Sequence, residues 1–444
     1  SKLEARRART LPVPPPMILA TVILAALLAF VLVVLFTFFT RGTPVERIRL
    51  IGDDDEECAV GHPAFGEVFS ILTNTTISEG NRVEVLTNGD GVYPRLWEDL
   101  ESAESLITWH VFWFKPGQLA DRLQEILIDR ARAGVEVLFL YDYFGSMGVP
   151  DEYFGRLREA GVKVAAFRPP RWNTLYKIQQ RMHVRAVVID GAIGYTGGFA
   201  ISDEWIGNGR QPGQWRDSSV RVEGTVVNQL QAAFVSNWAE AACELLLGDR
   251  VFPPGDGAPP GDVTAGVMYD APGLGSTTAE RFFALSVQGA RERLYITNAY
   301  FVPDRYFREF LIDAVERGVD VRVLTPGANT DRLSTYHAAR HGYEELLEGG
   351  VRIWHYRPTM VHAKTIVADG IWSAVGTINF DNRSMVLNDE VTLVMRDAGI
   401  AGLLERQFLE DLAHSDEVSL EELRARGIVD RLKERFFVTT SPFL

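Results

Sequence analysis

From Met17 to Thr40 the chain does not alternate at all: MILATVILAALLAFVLVVLFTFFT is 24 residues without a charge. At about 1.5 Å per residue such a helix crosses the ~30 Å apolar core of a bilayer. It is too long for a signal-peptide core and no small-residue cleavage site follows, which predicts a membrane-spanning helix. Beyond it the pattern changes to short apolar runs of strand period, separated by amphipathic stretches that stop at glycine. LIDRARAGVEV, Leu127 to Val137, predicts a helix ending near Gly134 and then a strand.

The same pattern returns about 180 residues later. LIDAVERGVDV, Leu311 to Val321, repeats the stretch above, and LEGGVRIWHYRP, Leu347 to Pro358, repeats REAGVKVAAFRP, Arg158 to Pro169. A solenoid repeats every 20 to 50 residues, so this period means two tandem α/β domains. Each copy reads as strand, helix, strand, helix, strand and then a polar motif. The expected division is 1–41 for a basic N-terminus and the spanning helix, 42–66 for a linker, 67–250 for the first domain, 251–274 for a connection, and 275–444 for the second domain. The acidic run GDDDEE from Gly52 marks the linker, and the Pro- and Gly-rich VFPPGDGAPPGDV from Val251 marks the connection.

The repeated motif carries the candidate chemistry. MVHAKTIVADG, from Met360, places His362, Lys364 and Asp369 in the spacing H-x-K-x-x-x-x-D, and MHVRAVVIDG places His183, Arg185 and Asp190 in the same spacing. Strand alternation puts His362 and Lys364 on one face, imidazole beside ammonium. The aspartates, beside glycines at the strand ends, read as structural turn-makers bonding their own backbone. A histidine kept only for packing has no reason to recur with its cation.

With the glycine-rich turns GYTGG and VGTINFDNRS that follow, the paired motifs resemble the phospholipase D superfamily. Within it, TNAYFVPDRYFREFLIDAVERGVDVRVLTPG, YEELLEGGVRIWHYRPTMVHAKTIVADG, GTINFDNRSMVLNDEV and the closing SPFL resemble bacterial cardiolipin synthases, from about Val68 onward. The resemblance implies two α/β domains in a pseudo-twofold bilobal unit. It implies phosphatidyl transfer between two phosphatidylglycerol molecules, with release of glycerol. Breaking a phosphodiester without a metal needs a nucleophile, cations on the non-bridging oxygens and a proton donor for the departing alcohol. One histidine would form a phosphohistidine while the other protonates the leaving group, with His183 the nucleophile by family analogy. Lys364, Arg185 and Asn379 would hold the phosphate. The family pattern also implies that an acid from each half orients the histidine of the other: Glu390 for His183 and Asp217 for His362. The alternatives are a lipid hydrolase or head-group exchanger, and behind these a nuclease or a scaffold of the same fold.

The first copy departs from the pattern at Arg185, where lysine is usual, and at Ala200, where the second copy has Asn379. Arginine keeps the charge but presents a planar fork.

Composition narrows the partners. With 45 basic and 59 acidic residues the net charge is −14, which argues against extended nucleic-acid binding and leaves anionic phospholipids and the membrane as expected partners. FRPPRWNTLYKIQQR, from Phe167, holds Arg168, Arg171, Lys177 and Arg181 without an acid and includes Trp172, a candidate contact for lipid head groups. The spacing of the two cysteines, Cys58 and Cys243, suggests neither a zinc site nor a disulfide framework; two buried thiols are the simpler reading. No metal or organic cofactor is expected. Lys2, Arg6, Arg7 and Arg9 precede the span and Arg41, Arg47 and Arg49 follow it, a small bias toward a single-pass inner-membrane protein with its catalytic part outside the cytoplasm.

Overall fold

The computed structural model describes residues 16–40, 58–254, 257–272 and 277–440. The basic N-terminus, the GDDDEE run, parts of the connection and the closing SPFL lie outside the described residues.

Seven strands form in the first half: β1 (Ser78–Thr87), β2 (Leu106–Val111), β3 (Glu136–Asp142), β4 (Lys163–Phe167), β5 (Ala186–Ile189), β6 (Ile193–Gly197) and β7 (Ser218–Glu223). Seven matching strands follow: β8 (Val263–Asp270), β9 (Arg293–Asn298), β10 (Asp320–Thr325), β11 (Arg352–Tyr356), β12 (Lys364–Ala368), β13 (Trp372–Gly376) and β14 (Glu390–Arg396). A short β15 (Ser415–Glu417) is added at the edge beside β11. Read outward from the middle, one half runs β1-β7-β6-β5-β2-β3-β4 and the other β8-β14-β13-β12-β9-β10-β11, the same order twice. β2, β3 and β4 pair in parallel, as do β9, β10 and β11. Antiparallel pairing of β1 with β8, Ser78 opposite Ala265, joins the halves into one sheet, so neither lobe keeps a free inner edge. Val263–Asp270, placed by the sequence in the connection, is thus a central strand.

Local sequence explains the helices. Asp304 starts the helix Arg305–Glu316 by accepting the Phe307 N–H, and Gly318, at φ +93°, lets the chain leave it for β10. Gly134, at φ +97°, does the same after Gln118–Arg132 in the first copy. The core is continuous across the seam: Val220 and Val222 of β7 belong to one cluster with Val375, Val391 and Leu393 of the second half. The helix Phe65–Thr73, cut by the expected boundary, packs Phe65 and Phe69 against Trp372 of the second half, with ring centroids 5.1 and 4.8 Å apart.

Pro16–Thr40 is a 25-residue α-helix, whose side chains are described only within residues 18–33 and are exposed there. Among the described residues no helix is long and apolar enough to cross a membrane, so the expected span is not established by them. Cys58 and Cys243 are free thiols, half-buried and exposed, not both buried as expected. Cys243 is exposed because it caps the helix Val226–Ala242 in a left-handed conformation, at φ 60°.

Candidate active site

The two motifs meet where the lobes face each other, and backbone bonds set the register. Just before β5, Met182 bridges to Asp389; His183 N–H donates to the Asp389 carbonyl at 2.9 Å and Asp389 N–H to the Arg181 carbonyl at 2.8 Å. Just before β12, Val361 bridges to Arg216 in the same way, with His362 N–H donating to the Arg216 carbonyl at 2.7 Å. Each histidine is therefore stitched to the residue that precedes the other lobe's acid. His362 lies two residues before its strand, since β12 begins at Lys364.

The side chains complete what the backbone aligns. Glu390 accepts from His183 Nδ1 at 2.8 Å, and Asp217 accepts from His362 Nδ1 at 2.8 Å. Both acids, open on sequence to being solvated sheet edges, are buried: 0 % exposed for Glu390 and 2 % for Asp217. Arg185 Nη2 stands 3.0 Å from His183 Nε2, and Lys364 Nζ stands 2.9 Å from His362 Nε2. A guanidinium only donates, so His183 Nε2 carries a lone pair and Nδ1 carries the proton. Phe112 meets the His183 ring edge-on at 4.8 Å, and Trp205 meets His362 at 5.0 Å, which limits rotation of both imidazoles.

Electrostatics follow from burial. His183 is held well below the usual imidazole range, by burial first and then by Arg185 and Lys364. His362 is pushed down to about 4 by burial and Lys364, with Asp217 opposing. Burial lowers Lys364 to about 7. Burial pushes Asp217 up, but His362, Lys364 and Trp205 together outweigh it and hold the carboxyl below its ordinary value. Burial also drives Glu390 upward. Even so, its carboxylate accepts from His183 Nδ1, from Thr377 Oγ1 at 2.5 Å and from Asn388 Nδ2 at 3.2 Å. Three donors, with Arg185 fixing the imidazole tautomer, place the ionised form of Glu390 here.

The remaining expected residues divide. Asn379 lines the pocket between the histidines; its Nδ2 donates to Ser384 Oγ at 3.3 Å and its buried Oδ1 has no hydrogen-bond partner. Ala200, its counterpart, offers only a backbone carbonyl, taken by Tyr93 Oη at 2.6 Å. Asp190 and Asp369, both at φ 53°, do not bond their own backbone. Asp190 accepts N–H groups of residues 104–106 and Asp369 those of residues 291–293, at 2.7 to 3.0 Å, stapling each motif to the strand beside it.

Three of the four cations expected at head groups turn inward. Arg168 pairs with Glu240 at 2.8 Å and Asp389 at 3.0 Å, Lys177 pairs with Glu240 at 2.9 Å, and Arg181 lies 3.7 Å from Asp142. Their acids are distant in sequence, so a local window could not show them. Arg171 is exposed, and Trp172 is 94 % exposed. The pocket also includes Tyr300, Asp331, Arg332 and Arg383, which sequence reasoning passed over. Arg332 and Asp331 sit on an aperiodic loop that gives no signal, and Arg383 was visible only as part of DNRS.

Comparison with known proteins places this arrangement. The family profile described as "Cardiolipin synthase, PLD-like domain" matches residues 286–412, which hold the second motif. A probable cardiolipin synthase of Bacillus subtilis (strain 168) is 33% identical over 81% of this chain and 72% of its own length. Cardiolipin synthase A of Pseudomonas fluorescens (strain SBW25) is 35% identical over 82% of this chain and 75% of its own. Among solved structures, a phosphatidylserine synthase of Haemophilus influenzae shares the fold with a TM-score of 0.66 at 13% identity, covering 85% of this chain and 99% of that one.

Proposed function

The chain belongs to the bacterial cardiolipin synthase family, and we propose that it joins two phosphatidylglycerol molecules into cardiolipin and glycerol through a phosphohistidine on His183. The observation that carries the reading is the pair of buried histidines, each beside a cation at Nε2 and an acid of the other lobe at Nδ1. In the first step His183 Nε2 attacks phosphorus, the P–O bond to glycerol breaks, and the departing alkoxide takes a proton held between His362 and Lys364. In the second step the free hydroxyl of another phosphatidylglycerol returns that proton and attacks phosphorus. The N–P bond breaks and the neutral imidazole is restored. Arg185 and Lys364 neutralise the non-bridging oxygens, and Asn379 adds a neutral donor.

Incubating the purified protein in vesicles with labelled phosphatidylglycerol, then separating cardiolipin from phosphatidic acid, tests the reading; phosphatidic acid as the product would make the protein a hydrolase. His183→Ala and His362→Ala should each remove nearly all turnover without adding, because both steps need both groups. A large residual activity in either would sink the two-histidine mechanism.

Membrane attachment through Pro16–Thr40 belongs to the same proposal: 25 residues give a helix of about 37 Å, and Val22, Leu24, Leu28 and Phe30 are exposed along it. The small excess of basic residues before the helix, four against three after it, favours catalytic lobes outside the cytoplasm. Protease added to cells with a permeable outer layer should digest the lobes; full protection until the inner membrane breaks would refute this orientation.

A further inference from the structure

Four cations line or adjoin the pocket, and the transferred phosphate needs only two. Arg185 and Lys364 are beside the reactive nitrogens. Arg332 and Arg383 come from elsewhere in the second lobe: Arg332 immediately precedes the helix Leu333–Glu348, and Arg383 lies in the short helix Asn382–Val386. Farther along the first of these helices, Arg340 is paired with buried Glu434 at 3.0 Å. Arg308 pairs with Glu345 of that helix at 2.6 Å. Arg332 has no carboxylate within ion-pairing distance among the described residues; its guanidinium stands 6.0 Å from the Tyr300 ring centroid. Tyr300 in turn donates to Asp331 Oδ1 at 2.7 Å, which ties up the one acid adjacent in sequence. Arg383 also lines the pocket, and it donates to the Gln179 side-chain Oε1 at 3.4 Å and to the Gln179 carbonyl at 3.3 Å. Arg332 acts on His183, Asp381 and Arg383, so all four lie within one electrostatic environment.

The chemistry supplies a reason for the surplus. While the phosphatidyl group rests on His183, a second phosphatidylglycerol enters, and its own phosphodiester is separated from its attacking hydroxyl by one three-carbon glycerol unit. Two like charges then share one pocket, and a second pair of cations relieves the repulsion. We propose that Arg332 and Arg383 form a second phosphate subsite, which binds the phosphodiester of the acceptor phosphatidylglycerol and presents its terminal hydroxyl to the phosphorus on His183. The subsite rests on the phosphatidyl-transfer reading above. The bond formed is that hydroxyl oxygen to phosphorus, the bond broken is N–P, and the proton passes to His362 and Lys364. An acceptor without a phosphate gains nothing from it, so the subsite favours a lipid over free glycerol or water.

Two reactions of the full-length protein in phosphatidylglycerol vesicles separate the halves of the cycle. Exchange of the head group with labelled free glycerol reports formation and discharge of the intermediate with a phosphate-free acceptor. Cardiolipin formation needs the acceptor phosphate as well. Arg332→Gln should lower the ratio of cardiolipin formation to glycerol exchange by roughly tenfold or more, as expected for one lost charge-assisted contact. Arg383→Gln should act in the same direction, and Arg332→Lys should recover part of the loss. Melting curves that match wild type would show that Arg332→Gln, a change at an exposed side chain, leaves the fold intact. Equal loss of both reactions would assign the arginines to the donor phosphate and overturn the subsite, and an unchanged ratio would overturn it too. A wild-type protein that performs neither reaction would instead defeat the phosphatidyl-transfer reading, and the subsite with it.

Discussion

Replacing Asp217 by asparagine keeps the shape and removes one acceptor, and the structure shows why that small change has no good solution. Asp217 Oδ2 accepts from His362 Nδ1 and from Trp205 Nε1, each at 2.8 Å, while Oδ1 accepts the Ser218 N–H at 2.8 Å. All three partners are donors, and they occupy both oxygens. An asparagine whose oxygen faces His362 and Trp205 turns its NH2 toward the Ser218 N–H and orphans a buried backbone donor. With the amide reversed, the NH2 faces the indole and Nδ1, which moves the imidazole proton to Nε2, beside Lys364. The first arrangement loses less, at about 1–3 kcal/mol for one unsatisfied buried group. The variant should fold with a denaturant midpoint lowered to match. Its chemistry should suffer more. Without the carboxylate, His362 is even harder to protonate, and a general acid is worth about 10²- to 10⁴-fold. The assay compares phosphatidylglycerol with a phosphatidyl ester of p-nitrophenol, whose leaving group departs without a proton. Release of glycerol should fall by two or more decades while release of p-nitrophenolate falls far less. Equal losses on the two substrates would refute the role given to the Asp217–His362 pair.

The remaining predictions follow from neighbouring groups. Lys364, lowered to about 7 by burial, is charged below that pH and neutral above it, so the KM for donor lipid should rise as pH increases through 7. Lys364→Arg should flatten the rise, and an unchanged profile would remove the phosphate contact. Gly198→Ala should cripple turnover, since a Cβ there would collide with the Asp217 carboxylate; activity within threefold of wild type would show that the acid has room to move. Asp270 is raised to about 7, mainly by burial, so the folded protein holds a proton that the unfolded chain releases near pH 4. The contribution of this carboxyl to stability should therefore fall as pH rises between about 4 and 7, at up to about 1.4 kcal/mol per unit. Asp270→Asn should gain stability relative to wild type between pH 4.5 and pH 8, as urea titrations of both proteins at the two pH values would measure; an unchanged difference would refute the buried proton.

Much of this site is legible because a duplication states its chemistry twice. The spacing shared by His183 and His362, and the cations two residues on, mark the candidate reactive groups before any fold is known. The partners of those groups are less legible. Glu390 and Asp217 sit in alternating strands that read equally well as solvated edges, and only the parallel bridges at Met182–Asp389 and Val361–Arg216 make them neighbours of the histidines. The same distance in sequence misleads at Arg168 and Lys177, which have no acid in their own window and pair with Glu240 and, for Arg168, with Asp389 too. The domain pattern is legible as two copies, but not that β1 and β8 fuse them into one sheet. That pairing is decided by two strands with no special residues of their own.

On the proposed mechanism, the break in the repeat at Arg185 would divide the labour between two otherwise equivalent motifs. Both imidazoles are buried, both carry an acid at Nδ1 and both have a cation within 3.0 Å of Nε2. The cations differ in what they can do with a proton. An arginine keeps its proton under all ordinary conditions. Arg185 can therefore stabilise a phosphate on His183 but cannot supply or receive the proton of the leaving alcohol. Lys364, brought down to about 7, can be charged while the donor phosphate binds and can share its proton with His362 as the alkoxide leaves. On the proposed mechanism proton traffic therefore belongs to the second lobe and the covalent bond to the first, where a fixed charge keeps His183 Nε2 unprotonated. Arg185→Lys is the test of this division. It preserves positive charge, so the donor lipid should still bind and turnover should stay within about tenfold of wild type. A titratable ammonium beside His183 should, however, add a second ionisation to the pH profile of intermediate formation. A profile identical to wild type would mean that the first cation has no bearing on how protons are handled.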